Sequence, residues 1–413
     1  MLLRAVWILA LVFAVEARAG IEIDHEFSGR LNGESRWFPE AGAHSGQRSH
    51  ASGFVAVPKL YLEDAAGRSL TLAPFFRYDN TDSRRTHADL REAYLLLFGE
   101  IGDGEWELRI GVDQVFWGVT ESQHLVDIVN QVDFVEHPAG EAKLGQPMVY
   151  LTWSSDWGVM EILGLPYHRT RTFPGQAGRL RLPLVVEDEH VEYESEAKER
   201  HVDLAARYSH SFGLIDMGVS AFNGTSREPA LNLLLDSSGA PILGQYYAQI
   251  RQFGLDAQLT VGSWLFKLEA IQRAGARDLS GREEDYVASV FGGEYTFYSM
   301  FGSAADLSLL GEWNYDGRGR NATPSRSPNT LENDFFCAAR LALNDVQSSE
   351  IVVSILGDAE RATRALAVAL ERRIADRWSV NLESIYLLSI DKADIHYETR
   401  RDSFIDLSLS YNF

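Results

Sequence analysis

The sequence has a single cysteine, Cys337, in 413 residues. An exported protein of this kind has no intramolecular disulfide framework and no cysteine cage for a metal. Positive charge is short as well, with 38 Lys and Arg against 59 Asp and Glu and a net charge of −21, so nucleic acid is not an expected partner. Beyond the first 19 residues no stretch approaches the run of about 18 apolar residues that marks a membrane-spanning helix. Also missing are G-x-S-x-G, a glycine-rich phosphate loop, any Cys/His arrangement and a metal-ligand spacing such as H-E-x-x-H. No enzyme activity, metal or cofactor is therefore expected.

What is present begins with MLLRAVWILALVFAVEARAG. A basic Arg4, an apolar run from Ala5 to Val15, and Ala17 and Ala19 flanking Arg18 have the form of a secretory signal. Residues 1–19 are expected to be removed, leaving 20–413 as one domain. The run is too short to anchor the chain as a helix, which takes about 20 residues.

At the other end, SFIDLSLSYNF puts Ile405, Leu407, Leu409, Tyr411 and Phe413 on one side and Asp406, Ser408, Ser410 and Asn412 on the other. Period two is a strand pattern. It recurs near 21–38, 51–63, 68–80, 88–100, 104–114, 147–154, 157–165, 200–211, 213–223, 246–261, 263–275, 286–299, 304–316, 333–345, 349–358, 362–373, 377–390 and 401–413. That is eighteen segments, with sixteen the nearest alternative. The aromatic content of 11% and the 34 glycines suit many strands joined by tight turns. The expected fold is all-β: a transmembrane antiparallel up-and-down β-barrel of about 18 strands, which pairs every backbone group in lipid without a long apolar run.

The connections alternate between short and long, as in barrels with short periplasmic turns and long outer loops. Ala65-Ala66-Gly67, Gly102-Asp103-Gly104, Ser154-Ser155-Asp156, Ser211-Phe212-Gly213 and Gly262-Ser263 lie at or near tight turns. Between them fall polar stretches at 39–50, 79–89, 115–146, 166–199, 224–245, 276–285 and 317–330. A soluble sandwich would also alternate, but its turns would not sort by parity.

One face of the segments is apolar, as in Trp264, Phe266, Leu268 and Ala270, or Leu307, Leu309, Trp313 and Tyr315. This face is expected to meet lipid. The other is polar and is expected to line the pore, with Arg77, Arg91, Glu107, Arg109, Asp113, Arg207, Lys267, Glu269 and Arg340 among its charges. Rings of such side chains set selectivity, and the acidic excess predicts a mild cation preference.

The segment GVDQVFWGVTESQHLVDIVNQVDF at 111–134, with the signal, the amphipathic strands and the terminal Phe, resembles the outer-membrane porin-like barrels of Gram-negative bacteria. Its stretch at 111–118 is similar to the G-x-Q-x-x-x-W-G run of alginate-exporter-like and uncharacterised porin-like families. Asp113 and Gln114 depart from that pattern. The resemblance implies an outer-membrane channel for passive diffusion of small hydrophilic solutes, set among membrane lipid and lipopolysaccharide, and leaves room for a homo-oligomer. It also implies that Tyr411 and Phe413 form an assembly signal read by the barrel-assembly machinery. The alternatives are a non-conducting receptor or anchor barrel and, further off, a barrel hydrolase.

Residues 115–146 are the third outer loop, which in porins folds inward and narrows the lumen. Leu125, Ile128, Val129 and Val132 are spaced to predict a short helix there. His124, Asp127, Asp133, Glu136 and His137 are the expected constriction residues. The loop at 166–199 is expected to be solvated.

Overall fold

The computed structural model describes residues 23–137, 139–318, 329 and 331–413. The expected signal lies outside them. Twenty-one strands follow in chain order: β1 (Ile23–Trp37), β2 (His50–Asp64), β3 (Ser69–Asp79), β4 (His87–Ile101), β5 (Gly104–Asp113), β6 (Gln146–Ser155), β7 (Gly158–Leu165), β8 (Val186–Tyr193), β9 (Asp203–Phe212), β10 (Ile215–Thr225), β11 (Ala230–Leu235), β12 (Pro241–Tyr247), β13 (Gln249–Val261), β14 (Trp264–Arg277), β15 (Glu283–Phe297), β16 (Asp306–Asp316), β17 (Asn333–Ala342), β18 (Glu350–Asp358), β19 (Arg364–Ala375), β20 (Trp378–Ser389) and β21 (Phe404–Asn412). Eighteen of them form one sheet in chain order, skipping β8, β11 and β12. The last strand pairs antiparallel with the first, from Arg30↔Asn412 to Trp37↔Ile405, and Gly29 and Phe413 exchange two backbone hydrogen bonds of 3.1 Å. The sheet is thus a closed barrel without an exposed edge.

The period-two pattern fixes which side chains enter the lumen. Along β14, Lys267, Glu269 and Arg273 are buried on the inside, while Trp264 and Phe266 are 47% and 37% exposed on the outside. Leu309 and Trp313 on β16 and Phe253 on β13 continue this outer apolar surface. Trp153, Trp157, Trp264 and Trp378 cluster at the short-turn end, and Trp37, Tyr78 and Tyr315 at the other, at the depth of interfacial girdles. Gly102 and Gly262 each have φ +62 in their turns, a left-handed backbone that a side chain would strain.

Several local expectations give way. The stretch 276–285 is half strand: β14 and β15 pair as far as Arg277↔Glu283, leaving a five-residue turn closed by Asp278. The outer segments contain a three-stranded sheet in which β12 pairs antiparallel with β11 and parallel with β8. Residues 166–185 are packed into the barrel mouth instead of being solvated, because Arg179 is buried against Asp402 at 2.6 Å and His168 is buried among Tyr193 and Tyr247.

Candidate functional site: the lumen and its inward loop

Residues 114–145 leave β5, dip into the lumen and return to β6. Asn130 staples the loop's entrance: its Nδ2 donates to the carbonyls of Asp113 and Leu144 at 2.9 Å each, and its Oδ1 accepts from the Val115 amide at 2.8 Å. The outgoing limb then runs down the inner wall. Trp117 Nε1 donates to Glu161 at 3.4 Å, and the amides of Val119 and Thr120 and the Thr120 hydroxyl donate to Glu269 Oε1 at 2.8, 3.1 and 2.7 Å. The amides of Glu121 and Ser122 donate to Glu312 at 2.9 and 2.8 Å. These three carboxylates stand near the middle of β7, β14 and β16, so the loop reaches mid-height.

The predicted helix is absent from this loop, which has no helical segment among its described residues. An α-helix satisfies its amides internally, whereas the Val126 amide donates to the wall carboxylate of Glu269 at 3.2 Å. Leu125 through Gln131 are all buried, so both sides of the segment are covered instead of one stripe. One cover is apolar: Val115, Trp117, Leu125, Val126, Ile128 and Val129 pack on Leu163, Phe222, Ile250, Ile271, Ala288 and Val290 of the inner wall. Each large side chain buried in this way contributes roughly 1.5–3 kcal/mol.

The five expected loop residues are not brought together: His124 stays beside Glu269 on β14, while Asp133, Glu136 and His137 reach β4, β3 and β20. Asp127 is buried against Lys143 at 3.2 Å, and burial raises its pKa even against that lysine. Asp133 is fully buried between Arg91 and the Thr172 hydroxyl, each at 2.6 Å; burial opposes its charge, but Arg91 and Thr172 outweigh this and its pKa is lowered. Glu136 meets Arg77 at 2.5 Å. His137 Nε2 is 3.3 Å from Glu383 on β20, and His124 Nδ1 is 4.0 Å from Glu269. Asp127 and Asp133 are thus spent on ion pairs that hold the loop, and their carboxylates do not face open lumen.

The expected pore charges all fall on the inner face. Arg77 pairs with Glu34 and Glu136, and Arg91 with Asp89 and Asp133. Arg109 bridges Glu107 at 2.7 Å and Asp113 at 3.1 Å, while Arg207 bridges Glu161 and Asp256. Lys267 holds Glu121 of the loop at 2.6 Å. Arg340 stands 3.6 Å from Glu350 and is half-exposed. No hydrogen bond or ion pair among the described residues joins the loop to β17, β18 or β19, whose inner face carries the small side chains Ala338, Ser354, Ala367 and Ala369.

A second cluster, unforeseen from the sequence, lies above the loop. Arg273 and Arg318 share Glu228 at 3.2 and 2.7 Å, and Arg318 also meets Asp316 at 3.1 Å. Arg171 stands over the Phe134 ring at 4.8 Å with no carboxylate within ion-pair distance among the described residues. Its weak sequence signal was the run of arginines in RTRTFPGQAGRLRLPL.

No family model matches the sequence, and no curated protein matches it. Among solved structures, a BenF-like porin from Pseudomonas fluorescens aligns over 95% of this chain and 98% of its own, at 9% identity and a TM-score of 0.50. A mutant of the Rh. blastica porin aligns over 94% of this chain and 100% of its own, at 11% identity and a TM-score of 0.42. The fold is that of a porin-like barrel. A porin-like barrel of the outer-membrane type is a transmembrane architecture, and its lipid-facing band and paired inner charges follow from that setting. The narrower similarity to alginate-exporter-like families rests on residues 111–118 alone.

Proposed function

We propose that this porin-like barrel is an outer-membrane channel for passive diffusion of small hydrophilic solutes, narrowed by residues 114–145. The observation that carries the reading is the gap in the loop's attachment to the wall. It is fixed to β7, β14 and β16 on one side and to β3, β4 and β20 on the other, with no hydrogen bond or ion pair to β17–β19 among the described residues. Water and solute have room there, since barrels of this strand number are too wide for wall side chains to fill. Catalysis forms no part of the reading.

On ion preference, the reading is a mild cation preference, supported by Glu121, Glu294, Glu312 and Glu383 around the loop. Arg171, which has no carboxylate within ion-pair distance among the described residues, favours a second reading, in which anions are preferred. Reconstitution in a planar bilayer under a salt gradient tests both. Ohmic conductance with a reversal potential of cation sign is expected; an anion sign selects the second reading. A folded protein that is silent in bilayers and admits no small solute into liposomes would leave the receptor or anchor alternative.

A further inference from the structure

The outgoing limb of the loop alternates like a strand although it is not paired as one. Val115 and Trp117 are 8% and 2% exposed against the inner wall, and Phe116 between them is 60% exposed. Its neighbours place it inside the barrel, so this ring faces the aqueous lumen and not lipid. No other large apolar side chain between 114 and 145 is exposed to that degree among the described residues. The ring is also held: His124 meets it edge-on with centroids 4.8 Å apart. Gly118 keeps the limb tight against the wall, since a Cβ there would come within 2.8 Å of Glu269 Oε1 and its φ is +142.

We propose that Phe116 is a stacking platform at the narrow level of the lumen for ring-shaped, hydroxylated solutes of the sugar type. The inference deepens the channel reading and rests on it for the route of access. A pyranose ring has a face of C–H groups and a rim of hydroxyls. An exposed aromatic face suits the first, because apolar contact there removes water from both surfaces. Polar groups that donate and accept suit the second, and the lumen near the loop offers half-exposed Glu107 and Arg109 on β5, exposed Gln114, and Glu121. Wall charges that are tied in pairs leave little net pull on a neutral solute, so the ring face becomes the distinguishing contact. A fixed Phe costs little further ordering when a solute stacks on it.

The test uses the full-length protein in planar bilayers with maltose as probe and sorbitol, a linear polyol, as control. Maltose should reduce the ion current in a saturable way and sorbitol should not. Phe116→Ala should weaken the maltose block about tenfold, which corresponds to about 1.4 kcal/mol, and Phe116→Trp should retain it. Because Phe116 is exposed, both variants should keep heat-modifiable mobility. Equal block in wild type and Phe116→Ala, or equal block by maltose and sorbitol, overturns the proposal. Titrating maltose into detergent-solubilised Phe116→Trp and following the new indole fluorescence gives a reading independent of conductance. A saturable change there with a silent bilayer keeps the stacking site and removes the channel; no change removes the stacking site.

Discussion

His137 is the loop's link to β20. Burial alone would lower its pKa, but the hydrogen bond to Glu383 and the charge of Glu141 outweigh burial and the opposing Arg36, and the net shift is upward. A histidine held more basic than its ordinary value of about 6.5 contributes its full stabilisation below that value and loses it as pH rises through the raised one. The latch should therefore be tighter at about pH 6 than at about pH 8. Open-channel current noise should rise with pH over that interval, and His137→Gln should flatten the response. An unchanged response in the variant would mean that His137 does not carry the effect; His87, whose Nε2 stands 3.9 Å from Glu136, also faces this part of the loop. Neither histidine's partner was readable from the sequence, because Glu383 is 246 positions away from His137 and no local pattern links them.

At the scale of the element, one carboxylate supports much of the loop. Glu269 accepts from three loop amides and a hydroxyl, and hydrogen bonds to a charged group contribute about 1.5–3 kcal/mol each. Glu269→Ala should free the outgoing limb without opening the barrel: protease cleavage within 117–126 should increase while heat-modifiable mobility stays. The strands allow a sharper test of facing. Leu309 is 45% exposed to lipid, whereas the Ser308 hydroxyl bonds Thr296 at 2.8 Å on the inner side. Arginine facing mid-bilayer costs about 2–4 kcal/mol, so Leu309→Arg should impair folding more than Ser308→Arg. The reverse ranking would mean the register is off by one residue. Elements such as β21 and β14 were legible because one face meets lipid and the other meets charge. The inner wall at β7 was not: apart from Glu161, GVMEILGL is apolar on both faces, and its inward Leu163 and Leu165 signal the cover of a loop. The helix expectation failed for a related reason, since helical spacing at 125, 128 and 129 ignored Val126, which is equally buried.

For the whole molecule, closure depends on the terminal strand. Phe413 completes the β1–β21 seam through its backbone and packs its ring 5.5 Å from Phe27 and 6.3 Å from Tyr411. Deleting Phe413 should lower the yield of folded barrel in the membrane fraction; unchanged yield would remove its role as an assembly signal. The count of strands was written in the sequence because each bilayer crossing imposes its own period-two segment, whereas the strict alternation of short and long connections gives way at 278–282 and 359–363, which are shorter than 298–305 and 343–349 at the opposite end. The path across the lumen was not written there, since it is decided by contacts between distant segments. That distance has a consequence in time. Thr120 and Ser122 are made 149 and 190 residues before the carboxylates that hold them, and His137 earlier still relative to Glu383. The loop cannot settle until the later hairpins have arrived, so the narrowing of the lumen waits on strands made long after the loop itself.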